Sequence, residues 1–306
     1  MMAQYARSPI VKNYLNRLAE RQKPIDTSKW YYINTNRLPE NLIDKFEASS
    51  FDAGTEEFLE NCYEKSDWVF TQILHNFFRF VFGWFMSMTT VNGLLHRGSM
   101  FVFSEKQFHT LLNVNKDWKA ESYLDLGAGD GKVSEKILYH FENKYATEQS
   151  PTMQWRLNEK GYQVLDIDKW QKRNNYSIIA ALNVLDRIDR PIKLLHELHS
   201  SIKEDGLIVI AIVLPYNPCY ESGVTFGPSS EVLPICGKTI EEQVVSLHDE
   251  VFPQAGLEVV KFTRLPYLCE GDLHRDFFVL NDIVFVLKAA EIATSTEKVC
   301  RVANNK

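Results

Sequence analysis

A chain of 306 residues, 45% of them hydrophobic, can bury a substantial core, and one catalytic domain with a helical N-terminal extension is the economical organisation. A formal charge of −6, with Lys and Arg scattered rather than blocked, excludes a nucleic-acid backbone as the main partner. Five cysteines (Cys62, Cys219, Cys236, Cys269 and Cys300), odd in number and without a C-x-x-C pair, indicate neither a disulfide framework nor a zinc site and read as reduced thiols.

Ser8 to Ala19 patterns as a polar amphipathic helix, and with the loop-like Gln22 to Arg37 it belongs to an N-terminal appendage, residues 1–50. The first 30 residues contain no apolar run of signal-peptide length, so a cytoplasmic or nuclear location is expected. A helical region from about Pro39 to Leu94 dominates a subdomain spanning residues 51–121. Its stretch Trp68 to Leu95 is rich in aromatics, but His75, Asn76 and Arg79 interrupt it. Phe77, Phe80, Val81, Trp84, Phe85 and Met88 fall at helical spacing, so it reads as a packing helix and not as a membrane span. Asn92-Gly93 closes that region, and Ser104 stands where it caps a helix from Glu105 to Leu112.

From Ser122 strands and helices alternate. Tyr123 to Lys132 reads as a short apolar strand that ends in an acid, breaks into a glycine-rich turn and passes at once into a helix. The spacing is G-x-G-x-G, with Asp125 two residues ahead of the first glycine, and not the dinucleotide pattern G-x-G-x-x-G. A pyrophosphate seeks a bare helix N-terminus. S-adenosylmethionine has no phosphate and carries a sulfonium and an ammonium, which Asp125 and Asp130 suit, while Gly127 and Gly129 let the backbone approach closely.

The second strand, Lys144 to Glu148, ends in an acid at the distance where a βαβ unit sets a carboxylate on ribose hydroxyls, so Glu148 is the expected ribose ligand. Ser150-Pro151 opens a helix that Gly161 closes, and a third strand, Tyr162 to Asp166, is followed by Asp168, counted with the cofactor site. Next come strand Tyr176 to Leu182, helix Pro191 to Ile202, a turn at Glu204-Asp205-Gly206 and strand Leu207 to Leu214. Pro215 to Gly237, rich in Pro, Gly and Ser, is longer than most connections and is a candidate lid.

Helix Thr239 to Ala255 precedes strands near Leu257 to Leu265 and Phe278 to Leu287, which lack room for a crossover helix and are therefore antiparallel. This is the α/β pattern of a seven-strand class I (Rossmann-like) methyltransferase domain over residues 122–288, with Ala289 to Lys306 a disordered tail. His196-Glu197-Leu198-His199 has its histidines three apart where a zinc-protease helix needs four, so it reads as an ordinary helix face and no metal is assigned.

Tyr63 to Ser66 with Trp68, Asn92 to Leu95, Arg97 to Ser104, Leu124 to Gly131, Ala146 to Glu148, Asn183 with Leu185-Asp186-Arg187, and Arg264 to Asp272 together resemble one family. It is the DREV-type, methyltransferase-like proteins that methylate protein histidines at the pros (Nδ1) nitrogen, and the resemblance runs from about Phe51 to Lys288. It implies that Glu148, Asn183 and Tyr267 contact the cofactor and that Asn183 and Asp186 line the pocket for the target imidazole. It also implies protein or peptide substrates with His-x-His motifs and a small middle residue. Arg187, Arg97, Arg264 and Phe278, drawn from these blocks and the following strand, are placed with the substrate, the alternative for Arg97 and Arg264 being ion pairs that brace loops.

Two departures accompany the resemblance: an apolar leader found in family members is missing, and Phe277 and Phe278 stand where others carry tyrosines. A lost hydroxyl at either position alters affinity or preference if it touches a ligand. From the residues alone, Asn183 follows the fourth strand at the carboxyl edge of the sheet, where open α/β folds bind ligands. The run Asn183 to Arg187 is equally readable as a turn in which Asn and Asp cap the backbone.

Transfer to Nδ1 requires the imidazole proton on Nε2, and Asp186 is the carboxylate assigned to hold it there. A methyltransferase for a small molecule or another residue, and an inactive scaffold, are the rival readings. The intact acid–glycine turn, Glu148 and Asn183 weigh against the scaffold. Oligomeric state is not legible.

Overall fold

The computed structural model describes residues 9–68, 71, 74, 91, 95, 98–222, 225–272 and 274–290. Its centre is an eight-stranded sheet in the order β1-β9-β10-β6-β5-β2-β3-β4. The strands are β1 Met100–Phe101, β2 Ala120–Leu126, β3 Phe141–Thr147, β4 Gln163–Leu165, β5 Tyr176–Leu182, β6 Ile202–Val213, β9 Leu257–Glu270 and β10 Phe277–Ala289, while β7 Tyr220–Ser222 and β8 Thr225–Gly227 form a separate hairpin. Pairs β2–β3, β3–β4, β2–β5 and β5–β6 are parallel, and β10 runs antiparallel to both β6 and β9.

The apolar strands explain this layering. Ile178 and Ala180 of β5 pack on one face with Tyr123, Val209, Phe108 and Leu157, whereas Ile179 and Ala181 pack on the other with Leu124, Ile210, Leu194 and Phe252. A strand apolar at every position is stable only when helices cover both faces. Helix Pro191–Ser201 supplies Leu194, Leu195 and Leu198 to one of them. The chain runs outward from β2 through β3 to β4 and then returns to β5 on the other side of β2. That reversal opens the crevice at the carboxyl ends of β2 and β5.

Several expectations are corrected. No α-helix follows the glycine turn: residues 132–134 form a turn and Glu135–His140 a 3₁₀ helix. Ser134 is drawn inward to Tyr123 and Asp125, and buried His140 sets Nδ1 2.7 Å from the Trp118 carbonyl, which holds this short segment at both ends. Glu204-Asp205-Gly206 lies within β6, where the β5 register jumps from Tyr176↔Ile202 to Ile178↔Leu207. A Cβ on Gly206 would stand 2.9 Å from the Tyr176 carbonyl oxygen, so the bulge needs glycine.

The helix after Thr239 starts with a capping box to Glu242, but it passes through a π turn at Leu247–Val251. Pro253 lacks the N–H that a regular helix would use there. Strands β9 and β10 are longer than expected, so Arg264 to Glu270 is strand. Cys236 is disulfide-bonded, whereas Cys62, Cys219 and Cys269 are free.

Ser104 caps helix Glu105–Leu112 through a capping box with Gln107, as expected. Before residue 51, helix Pro9–Arg21 sets Arg17 and Arg21 on Asp276, and Ile33, Leu38 and Leu42 join the main core. The connection Pro215 to Gly237 is anchored at its ends: Cys219 donates its N–H to the Asp186 carbonyl, Leu233 is buried, and Glu231 accepts from Ile192 and Lys193 at a helix start. His199 sets Nε2 3.0 Å from the Ala290 carbonyl. Among the described residues no helix is long and apolar enough to cross a membrane. Arg97, Asn92 to Leu94, the packing-helix residues from His75 to Met88 and the tail beyond Ala290 lie outside the described residues.

Candidate active site

The first half of the site is the turn after β2. Gly127, Gly129 and Gly131 take φ of +64°, +57° and +71°, a region that L side chains rarely adopt. Their environments differ. A Cβ on Gly131 would meet Leu157 at 2.8 Å, so that glycine serves packing, while a Cβ on Gly129 would find only the Met100 methyl at 3.8 Å. The open side of the turn is therefore at Gly129.

Strand β3 ends beside it. Gly127 donates to Thr147 Oγ1 at 3.2 Å, and Gly129 donates to Glu148 Oε2 at 3.0 Å. The other carboxylate oxygen, Oε1, accepts the Ser150 N–H at 2.9 Å, and Glu148 as a whole is 9% exposed. A carboxylate held this way by backbone N–H groups has a fixed orientation beside the turn.

The two acids of the turn are buried and occupied locally. Asp125 accepts from Ser134 at 2.6 Å, and burial pushes its carboxyl up to about 7. Asp130 accepts the Lys132 N–H and stands 3.9 Å from Arg156 and Lys132. Asp168 is exposed in the turn after β4, its N–H bonded to Asp166.

The second half lies after β5. Asn183 has φ +57° and donates its N–H to the Ala211 carbonyl, which extends the β5–β6 ladder by one residue. Its side chain is 5% exposed, and Nδ2 donates to Asp282 Oδ2 at 3.0 Å. Asp282, on β10 opposite Val213 and Leu265, is 0% exposed. Burial drives its carboxyl up to about 8, the Asn183 hydrogen bond opposes that, and the charge of Asp186 adds to it.

Asp186, with a side chain 13% exposed, lies 3.9 Å from Arg187 Nε, and burial raises its carboxyl too. Three oxygens here, Oδ1 of Asn183, of Asp186 and of Asp282, are buried without a hydrogen-bond partner. Buried acceptors left unpaired are costly, and these three share the carboxyl edge of the sheet. Tyr267, buried on β9, directs its hydroxyl at the Met100 sulfur, and burial raises its phenol. The charges of Arg187, Asp282 and Asp186 all reach that phenol. Asn183, Asp186, Arg187 and Tyr267 are thus brought together.

Other predicted residues have partners of their own. Arg264 spends its guanidinium on the Tyr32 carbonyl and on Asn281 Oδ1, the bracing role weighed as its alternative. Phe277 packs edge-on against Trp30 and Tyr63, whereas Phe278 is 37% exposed with Arg275 over its ring. A cleft of about 630 Å³ lined by Glu105, His109, Asn113 and Lys261 shares no residue with the site. Among the described residues no group of three or more His, Cys, Asp or Glu side chains is arranged to hold a metal ion.

Sequence reasoning missed Asp282 and Met100. The signal for the first was present: a carboxylate directly precedes an apolar run, Ile283 to Leu287, that is almost fully buried. Met100 carries no such mark, since a methionine is ordinary filling until its neighbours are known.

A parallel sheet with the order β4-β3-β2-β5-β6, a reversed β10 beside β6, and a glycine turn and acid at the ends of its first two strands define a class I S-adenosylmethionine-dependent methyltransferase. The chain belongs to the DREV methyltransferase family, whose family model matches residues 30–289.

Similar solved structures include a TehB-like SAM-dependent methyltransferase from Corynebacterium glutamicum, 18% identical, covering 56% of this chain and 81% of that one with a TM-score of 0.36. A second is an S-adenosylmethionine-dependent methyltransferase from Clostridium acetobutylicum, 14% identical over 56% of this chain and 85% of that one, TM-score 0.37. A third is the DhpI–SAH complex, 11% identical over 56% and 77% of the two chains, TM-score 0.38. The residues fit the cofactor: a glycine turn open at Gly129 and, beside it, a buried carboxylate oriented by the backbone N–H groups of Gly129 and Ser150.

Proposed function

We propose that this methyltransferase acts on protein or peptide histidines in His-x-His motifs and modifies the Nδ1 (pros) nitrogen. The observation that carries the reading is the pair of unpaired, buried acceptors Asn183 Oδ1 and Asp186 Oδ1 at the carboxyl end of β5. A neutral imidazole presents one N–H and, on the other nitrogen, a lone pair, so it satisfies an acceptor and remains nucleophilic. The resemblance of the Asn183 to Arg187 and Arg264 to Asp272 blocks to histidine methyltransferases supports the same acceptor.

S-adenosylmethionine, when bound, supplies a methyl group activated by a sulfonium. The Gly127 to Gly129 backbone and Glu148 hold its nucleoside end, and Asn183 and Tyr267 complete the cofactor site. Asp186 accepts Nε2–H of the substrate ring, which keeps the lone pair on Nδ1 and stabilises the positive charge that develops on the ring. An imidazole is already largely neutral at pH 7, so orientation matters more than a strong base. Arg187 and Phe278 lie at the rim, where they meet the peptide.

Mass spectrometry of a His-Ala-His peptide and its Ala-Ala-Ala control, incubated with the protein and methyl-labelled S-adenosylmethionine, tests this directly. A label on Nδ1 of the first peptide alone is the expected result. Cofactor binding with no transfer to the peptide redirects the activity to another acceptor.

A further inference from the structure

We propose that Asp282 is a positioning residue for the reaction: by accepting the amide N–H of Asn183 it holds Asn183 Oδ1 in the acceptor pocket as a fixed hydrogen-bond acceptor. The inference rests on the reading of that pocket as the seat of the methyl acceptor, and it adds a residue from the reversed strand β10.

Asp282 is poorly placed for stability. It is 0% exposed in the middle of the sheet, between β6 and β9, and its neighbours Ile283, Val284, Phe285 and Val286 are all buried apolar side chains. A carboxyl there pays a desolvation cost that valine or leucine would avoid, and a single hydrogen bond from Asn183 offsets it only in part. What the carboxyl does contribute is direction.

The Asn183 backbone is pinned, since its N–H is bonded to the Ala211 carbonyl and its φ of +57° lies in a region that asparagine tolerates better than most residues. The terminal amide is another matter. Rotation of an asparagine amide by half a turn exchanges oxygen and nitrogen with little intrinsic preference. Asp282 Oδ2, 3.0 Å from Nδ2, accepts from nitrogen and repels an amide oxygen, and it keeps a lone pair for Nδ2 even when the carboxyl is protonated on Oδ1. The result is an acceptor, Asn183 Oδ1, turned away from Asp282 and left without a partner.

Asn183 and Asp186 are three residues apart and both end in unpaired buried oxygens. These two side chains therefore offer unpaired acceptors, which favour a ligand nitrogen that carries a hydrogen. A flipped Asn183 amide would present N–H instead, and would compete for the lone pair that must attack the methyl group.

The test compares Asp282→Leu and Asp282→Asn, each in the wild-type and in an Asn183→Ala background, using kcat and KM on the His-Ala-His peptide and calorimetric affinity for S-adenosylhomocysteine. Side-chain amide resonances of Asn183, assigned by their loss in Asn183→Ala, give a readout independent of the acceptor. Asp282→Leu should lower kcat by about 100-fold in the wild-type background and have no further effect on Asn183→Ala. Asp282→Asn, whose amide oxygen can still accept from Nδ2 but whose amide can also turn to present nitrogen, should restore turnover in part.

The Asn183 amide protons should be protected from exchange in the wild type and in Asp282→Asn but not in Asp282→Leu. Equal losses in both backgrounds, wild-type kcat in Asp282→Leu, or an Asp282→Asn variant no better than Asp282→Leu would overturn the proposal. So would an Asn183 amide that exchanges freely in the wild type, a measurement that stands even if Asp282→Leu does not fold. Wild-type protein that transfers no methyl to the peptide would instead sink the histidine reading, and the amide resonances would then decide the positioning role.

Discussion

The two halves of the site differ in how their polar groups are satisfied. In the glycine turn, Glu148 uses both oxygens on backbone N–H groups, Asp125 is bonded to Ser134, and Asp130 lies among Lys132 and Arg156. At the end of β5, Asn183, Asp186 and Asp282 each retain an oxygen with no partner. The first half is built by the fold and holds its shape by itself. The second is finished only when a ligand brings donors, since an unpaired buried acceptor costs about 1–3 kcal/mol. The half proposed for the cofactor is satisfied by the fold, and the half proposed for the methyl acceptor is not.

The sharpest way to break this comparison is Asp186→Ala. Turnover on the peptide should fall by roughly 10²–10³-fold with S-adenosylhomocysteine affinity unchanged, because the lost acceptor belongs to the second half alone. Normal turnover would remove Asp186 from the mechanism. In the other half, Glu148→Ala should abolish measurable cofactor binding and lower stability by about 1–3 kcal/mol, since the N–H groups of Gly129 and Ser150 lose their acceptor. Unchanged affinity in a calorimetric titration would break the ribose assignment.

The second half also has a pH signature. Burial raises Asp282 to about 8 and raises Asp186 as well, so the folded protein holds protons that the unfolded chain has released above its ordinary carboxylate range near 4. Stability is then fully present below that range and declines as pH rises towards 8. Asp282→Asn should flatten this decline and raise the melting temperature at pH 8 by roughly 5 °C while changing it little at pH 4. A melting curve that responds equally at both values would contradict the assignment.

The smallest effect is expected at the rim. Phe278→Tyr should shift peptide KM by no more than about tenfold, the worth of one hydrogen bond, and leave cofactor affinity unchanged. Phe277→Tyr, at a half-buried ring packed on Trp30 and Tyr63, should act on stability instead.

Features set by neighbouring residues were legible before the structure. The strand–glycine–acid run around Gly127 to Gly131, Glu148 at the end of the next strand, the Ser104 cap and the antiparallel β9–β10 pair all follow from local patterns. The α-helix expected after Lys132 failed because Ser134 and His140 are held by residues distant in sequence, Asp125 and Trp118. The turn expected at Glu204 to Gly206 failed because strand β5 carries that segment into the sheet as a bulge. The partners of Arg264, the Tyr32 carbonyl and Asn281, were likewise not legible, since both are distant in sequence.

By itself, then, the sequence determined the class of fold, the cofactor and the position of Asn183 and Asp186 at the end of a strand, because apolar periodicity, glycine torsions and strand-terminal acids act over a few residues. Tertiary structure alone decided that Asp282 meets Asn183, 99 residues away in the chain, and that Met100 lies over Gly129 and under Tyr267. Such meetings depend on strand order and register, which no local pattern encodes.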